Sequence, residues 1–80
     1  MITYDISITK TSWPGGAYSV EVAQIIDDEW GEIWQSAATS LRWAKEHARR
    51  LLNQMSGLDR QRLTWTTDKG WHQSIVEVDA

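Results

Sequence analysis

The side chains with the most obvious chemical potential are two histidines and one acidic group, and neither set forms a recognised catalytic or metal-binding pattern. His47 and His72 have no second ligand or nucleophile at a motif spacing. We interpret them as ordinary histidines, on a helix flank and on the more polar face of a strand. Residues 27–29 and Glu32 could offer oxygen ligands, but they lack the alternating positions and distal glutamate of a calcium-binding loop. The sequence therefore predicts no metal site, no cofactor and no enzymatic activity.

Charge is segregated along the chain. Residues 1–41 carry one base and six acids, whereas residues 42–62 carry six bases and two acids, within a net charge of −3. A basic helix face can be simply solvated, or it can contact an acidic protein or a phosphate backbone. The negative total charge makes nucleic acid the less favoured of the two partners. The basic residues concerned are Arg42, Lys45, Arg49, Arg50, Arg60 and Arg62.

Trp43 is the residue that helical spacing singles out. It is placed about 135° from the apolar stripe of its helix, beside Arg50 and near His47. An exposed tryptophan next to arginine is typical of a protein-binding hot spot, unless a neighbouring loop covers the indole. Trp13, in a Ser-Trp-Pro-Gly-Gly turn, is a second possible anchor, although a loop tryptophan can also fold back on its own hairpin. We predict a protein-binding surface at these four residues.

Length and composition limit the fold. The chain has 80 residues, 41% of them hydrophobic, with six tryptophans and no cysteine. A chain of this size supports one core, so we predict a single domain over residues 1–80 that is stabilised by packing rather than disulfides. There is no signal-peptide pattern at the start and no apolar run near the roughly 20 residues that cross a bilayer. We therefore expect a cytoplasmic protein without membrane contact.

The first part of the chain predicts a β-hairpin. Residues 2–8 alternate strictly between apolar and polar side chains, which is the period of a strand with one buried face. Residues 12–16 contain the only proline and a Gly-Gly pair, and they predict a turn. Residues 18–22 alternate again and predict the second strand.

Residues 27–39 allow two interpretations. In the first, residues 27–29 form a turn, Gly31 adopts the left-handed conformation and residues 32–35 form a short third strand. In the second, the acidic residues start one long helix that continues to about residue 56, because carboxylates favour a helix N-terminus. We favour the short strand, since Gly31 and a cluster of serine and threonine are poor in a helix interior.

The apolar spacing of residues 41–55 predicts an amphipathic helix. Thr39 or Ser40 is expected to cap its start, and Gly57 to end it. Residues 62–67 and 71–78 predict a second hairpin, with a three-residue loop that places Thr67 opposite Trp71. The side chains that this register places on one buried face are Leu63, Trp65, Trp71 and Ile75. The fold class is α+β, with an antiparallel sheet of four to five strands in ββ(β)αββ order and one long helix on one face.

Two resemblances add expectations about partners. TSLRWAKEHARRLL, residues 39–52, and LTWTTDKGWH, residues 63–72, resemble small Trp-rich, cysteine-free accessory proteins of bacteriophages that infect actinobacteria. This resemblance implies a non-virion protein that modulates a host or phage partner. The order of three strands and a helix is also similar to HicB-type antitoxins, which would imply a toxin as the partner.

The sequence therefore predicts a small non-enzymatic interaction protein. The oppositely charged halves of the chain suggest a homodimer in which they complement each other across a two-fold axis. Nucleic-acid binding through the basic helix face and an antitoxin role are the alternatives.

Overall fold

A computed structural model describes residues 1–13, 16–57 and 63–78, without the side chains of residues 12, 13 and 16. The elements in chain order are β1 (Ile2–Trp13), β2 (Gly16–Ile26), β3 (Glu29–Ala38), α1 (Leu41–Ser56), β4 (Thr66–Asp68) and β5 (Trp71–Val78). The five strands form one antiparallel sheet in the order β3-β2-β1-β5-β4. The predicted α+β class and element order are confirmed.

β1 is the central strand because its alternating pattern supplies one fully apolar face. Tyr4, Ile6 and Ile8 are buried against α1, while the residues between them point to the opposite surface of the sheet. Ile6 lies opposite Val22 of β2 and Ser74 of β5, so both neighbouring strands continue the same buried surface. We call the surface covered by α1 the inner face and the opposite surface the open face.

The ambiguous segment is a strand, and β3 is longer than the predicted residues 32–35. The predicted left-handed conformation of Gly31 is wrong: the residues with positive φ are Asp27 and Asp28, at 48° and 67°. They form the two-residue connection between Ile26 and Glu29, and such tight hairpin loops require positive φ at both positions. Aspartate tolerates this conformation better than most residues.

Gly31 has a different role. The β2–β3 register shifts beside it, and a Cβ atom at this position would lie 3.1 Å from Oε1 and 3.2 Å from the carbonyl oxygen of Gln24. Glycine is therefore placed where the irregular strand passes close to its neighbour. The sequence signal at Gly31 was real, but it reflects close packing rather than a turn.

α1 begins at the predicted Leu41 and ends at Ser56, one residue beyond the predicted Met55, with Gly57 following it as predicted. The Ser40 hydroxyl accepts a hydrogen bond from the Trp43 backbone N–H at 3.3 Å, so Ser40 rather than Thr39 is the N-cap. Gly57 has φ 70°, and its N–H donates to the Asn53 carbonyl oxygen at 2.9 Å. The residues of α1 that are fully buried on the sheet are Ala44, Ala48 and Leu52.

We expect Gly57→Ala to destabilise the protein by about 1–2 kcal/mol, because an L-residue in the left-handed region is strained. No atom lies within 4 Å of an added Cβ, so the cost is conformational and not steric. Gly57→Asn should cost less, since asparagine adopts this conformation more readily. Urea unfolding at equilibrium measures both values. Equal destabilisation by alanine and asparagine would contradict this explanation.

The second hairpin differs from the prediction by one residue of register. Its loop is Lys69–Gly70, and Trp71 lies opposite Asp68 rather than Thr67. A shift of one residue moves every side chain of a strand to the other face. Trp71 and Ile75, predicted to be buried, are on the open face and are 41% and 58% exposed.

The inner face of β5 carries two buried polar residues, His72 and Ser74, followed by the partly buried Val76 and Val78. His72 is only 7% exposed, and its Nδ1 lies 2.9 Å from the Thr67 hydroxyl, so the expectation that His72 is on a solvated face is wrong. β4 is also shorter than predicted. Leu63 and Trp65 precede it and pack, partly buried, against the core.

Candidate functional site

The outward surface of α1 carries the predicted aromatic residue. Trp43 is 52% exposed, and its ring centroid lies 6.4 Å from that of His47, one helical turn further on. Nδ1 of His47 is 3.3 Å from the Ser36 hydroxyl of β3, which fixes this ring between the helix and the sheet. No described segment covers the exposed part of the Trp43 indole.

The cations around Trp43 are partly neutralised by one acid. Glu46 accepts hydrogen bonds from Nε and Nη2 of Arg49, and its Oε1 also lies 3.3 Å from Nε of Arg50. The hydrogen bond from Arg49 lowers the pKa of the Glu46 carboxyl, and the positive charges of Arg49 and Arg50 act in the same direction. Arg42 is exposed and forms no ion pair with any described residue.

Arg42, Trp43, Glu46 and Arg50 line a shallow cavity of about 270 Å³. A flat apolar ring with two guanidinium groups at its margin can hold an acidic or hydrogen-bonding side chain of a protein partner. We call Arg42, Trp43, His47 and Arg50 the Trp43 surface.

The structure brings four predicted site residues onto this one surface: Trp43, His47 and Arg50, predicted for a protein partner, and Arg42, predicted for nucleic acid. The side chain of Trp13 and the residues Arg60 and Arg62 lie outside the described part of the chain. Lys45 and Arg49 are on α1 as predicted, but together with Arg42, which borders both cavities, they line a second groove that the sequence did not indicate.

The second groove lies between α1 and the segment before β4. Nζ of Lys45 is 5.8 Å from the centre of the Trp65 ring, a cation–π distance. The cavity has a volume of about 320 Å³, and its lining residues are Arg42, Lys45, Glu46, Arg49, Leu63 and Trp65. Trp65 was not predicted as a site residue, because the sequence pattern around it predicts a strand with Trp65 on its buried face. Tertiary packing alone places the indole beside the basic helix.

The lowered pKa of Glu46 predicts a pH effect. The stabilising interaction is present above the ordinary pKa of glutamate, and it is lost as the pH falls through the lower pKa of the folded state. Glu46→Gln should lower the stability by a constant amount above the ordinary glutamate pKa, and the difference from the unaltered protein should vanish as the pH falls through the lower pKa of the folded state. The measurement is the urea midpoint of both proteins across the acidic range. Parallel curves at all pH values would contradict the role assigned to Glu46. Because the pair is exposed, we expect a small effect that decreases with salt.

The open face of the sheet is the other surface that sequence analysis missed. Trp30 is 66% exposed, and Ile33 is 49% exposed near the same edge. Between these residues and Ile75, Asp5 accepts a hydrogen bond from Gln73 at 3.0 Å. The acids whose register places them on this face are Asp5, Glu21, Asp68 and Glu77. The open face is therefore acidic with apolar margins, opposite to the basic outward surface of α1.

The described residues contain neither a cluster of metal ligands nor a helix that could span a membrane. Among residues 1–13, 16–57 and 63–78, no group of three or more histidine, aspartate or glutamate side chains could hold a metal ion. Within the same residues, α1 is too short and too polar to cross a bilayer.

No protein-family model, curated protein or solved structure significantly matches this chain.

Proposed function

We propose that this protein is a small non-enzymatic interaction module that binds an acidic surface of a protein partner through the Trp43 surface. The observation that carries the proposal is the half-exposed Trp43 indole between Arg42 and Arg50, on the side of α1 that faces away from its own sheet. Tryptophan and arginine are the residues most enriched at the energetic centres of protein interfaces.

The site is pre-organised for this role. Trp43 lies in the first turn of a capped helix, and its neighbour His47 is held by Ser36. An anchor on a rigid helix loses less conformational entropy on binding than an anchor on a loop. Arg42 has no ion pair with a described residue, so it can contact a carboxylate without first breaking one.

The two charged surfaces also define what the partner can be. The basic surface of α1 and the acidic open face lie on opposite sides of a two-layer fold. In a closed two-fold dimer both surfaces would have to lie in one shared interface, where each meets the other twice, and surfaces on opposite sides of the fold do not meet this condition. The suggested charge complementarity between the halves of the chain therefore favours a separate acidic partner for the Trp43 surface.

A comparison of baits tests the proposal. The double variant Trp43→Ala/Arg50→Ala should no longer retain a partner that the unaltered protein retains from a native-host lysate. The matched control is Lys69→Ala/Trp71→Ala, which removes one cation and one exposed indole from the β4–β5 hairpin. Quantitative mass spectrometry compares the three captured sets. Equal loss with both variants, or no loss with the first, would contradict the assignment.

Binding of single-stranded nucleic acid is a second candidate function, favoured by the groove at Trp65. Stacking of bases on an indole next to basic side chains is a common mode of single-strand binding, and Lys45, Arg42 and Arg49 line this groove. Fluorescence anisotropy with a labelled oligothymidine is the test. Affinity should fall steeply between 50 and 200 mM salt, roughly tenfold or more for several phosphate contacts, and Trp65→Ala should weaken it. Salt-independent binding would remove this candidate.

We also propose a biological setting for this interaction module. The resemblance of residues 39–52 and 63–72 to actinobacteriophage accessory proteins supports a cytoplasmic role, in which the partner is a host or phage protein. The HicB-like order of three strands and a helix supports an antitoxin role instead. The genomic neighbourhood distinguishes them, because an antitoxin should be encoded beside its toxin and co-purify with it.

A further inference from the structure

β3 is an edge strand whose outer side has no partner within the described chain. It pairs with β2 on one side only, and no backbone hydrogen bond joins it to any other described segment. An open edge presents unpaired N–H and C=O groups and is a template for another strand. Natural edge strands are usually protected by charges, bulges or proline.

Protection is confined to the first part of β3. Glu29, Glu32 and the irregularity at Gly31 lie there. Residues 33–38, with the sequence IWQSAA, carry no charge, no glycine and no proline. A regular, uncharged edge of six residues is long enough to pair with a further strand.

We propose that this edge pairs antiparallel with β3 of a second copy of the chain, which joins two sheets into one continuous ten-stranded sheet. Two-fold antiparallel pairing is consistent with the charges. It places residues 33–38 of one copy beside the same uncharged residues of the other, and it places the acidic starts of the two β3 strands at opposite ends of the junction. The proposal does not rest on the proposed function, since it uses the edge of the sheet, although His47 and Arg50 of the Trp43 surface also line the cavity beside this edge.

Side-chain parity restricts the register. Residues directly opposite in an antiparallel pair point to the same face of the sheet, and side chains alternate between faces along a strand. Opposed residues of the two copies must therefore be separated by an even number of positions in the sequence, so one residue of β3 lies opposite itself at the two-fold axis. We place it at Gln35. Trp34 then faces Ser36 of the second copy on the inner side, and Ile33 faces Ala37 of the second copy on the open side. Each pair combines a large side chain with a small one.

The inner side of this edge has space for the second copy's indole. Ser36 lies at the edge and forms one wall of a cavity of about 200 Å³ between β3 and α1. The residues that line this cavity are Ser36, His47, Arg50, Leu51 and Gln54. An axis at Ser36 would instead set Trp34 against Ala38, which is already buried within its own chain. The cavity therefore favours the axis at Gln35.

The charges fit the same register. Glu32 faces Ala38 of the second copy, so no carboxylates are directly opposed across the junction. On the open face, the exposed side chains of Trp30 and Ile33 from both copies lie near the junction. Together they form one larger apolar surface in the dimer.

The absence of cysteine makes a cross-linking test clean. Single-cysteine variants are oxidised at micromolar concentration, and disulfide dimers are followed on a non-reducing gel. Gln35→Cys, at the axis, should cross-link at least about tenfold faster than Ile75→Cys, because pairing holds its two thiols at a high effective concentration. Ile33→Cys and Ala37→Cys should cross-link efficiently when mixed, but slowly alone.

Sedimentation velocity provides the second measurement. The unaltered chain should show a concentration-dependent monomer–dimer equilibrium, and Ala37→Lys should shift it towards monomer by about tenfold or more, since two lysines then lie near the junction. Thr66→Lys on the short β4 edge is the matched control and should leave the dimer intact, as should Trp43→Ala. Monomers at all concentrations, or faster cross-linking of Ile75→Cys than of Gln35→Cys, would overturn the proposal and leave the proposed function of the Trp43 surface standing.

Discussion

Replacing Ile6 by alanine is expected to lower the free energy of unfolding by about 2–5 kcal/mol, a large part of the total for a domain of this size. Ile6 is fully buried at the centre of β1, where it contacts the core formed by both neighbouring strands and α1. Removing three carbon atoms there leaves a cavity that neither the sheet nor the helix can close completely. Chemical unfolding by urea, followed by circular dichroism, gives the value.

The same substitution at Ile75 is the matched control. Ile75 is on the adjacent strand but on the open face, where it is 58% exposed. Its loss should cost less than about 1 kcal/mol, mainly through the lower β-propensity of alanine. Similar destabilisation at Ile6 and Ile75 would mean that both faces are covered, and the one-sided arrangement of α1 would be contradicted.

Trp43→Ala should weaken binding of the captured protein by at least about 2 kcal/mol, which is roughly 30-fold in affinity. The indole supplies the largest apolar contact of the Trp43 surface, and its loss also leaves Arg42 and Arg50 without the flat ring between them. Because Trp43 is half-exposed in the isolated protein, its removal should change stability little. Isothermal titration calorimetry measures the affinity, and thermal unfolding measures the stability.

Trp71→Ala is the control for this affinity measurement. It removes a comparably exposed indole from the open face and should change the affinity by less than about threefold, as most residues outside a hot spot do. A larger loss at Trp71 than at Trp43 would assign partner binding to the open face of the sheet.

Local signals predicted much of the fold. The alternation in residues 2–8 predicts a strand with one buried face, because one face of β1 is fully apolar and this pattern needs no knowledge of the neighbouring strands. The central position of β1 depends on its pairing with β2 and β5, which the sequence left open. Ser40 and Gly57 delimit α1 because a cap is a contact between a residue and the backbone of its own helix. The direction of Trp43, away from the apolar stripe, follows from the helical period once that helix is established, whereas the period does not show whether a loop covers the indole.

The incorrect predictions concern features that are determined by tertiary contacts. The two hairpin registers differ by one residue, and the sequence favours the one that buries Trp71 and Ile75. The structure instead buries His72, whose ring nitrogen lies within hydrogen-bonding distance of the Thr67 hydroxyl. Trp65 likewise belongs to the groove beside α1 rather than to the sheet. Apolar composition alone cannot show which face of a two-layer fold remains open.

The six tryptophans offer a direct test of the proposed recognition surface, because their indole N–H groups give separate signals in a proton–nitrogen correlation spectrum. The Trp43 signal is assigned from the spectrum of Trp43→Ala, and the captured protein is then titrated into the labelled chain. We expect Trp43 to show the largest change, while Trp30 and Trp71 on the open face change little. Large shifts at Trp30 and Trp71 with an unchanged Trp43 signal would contradict the account.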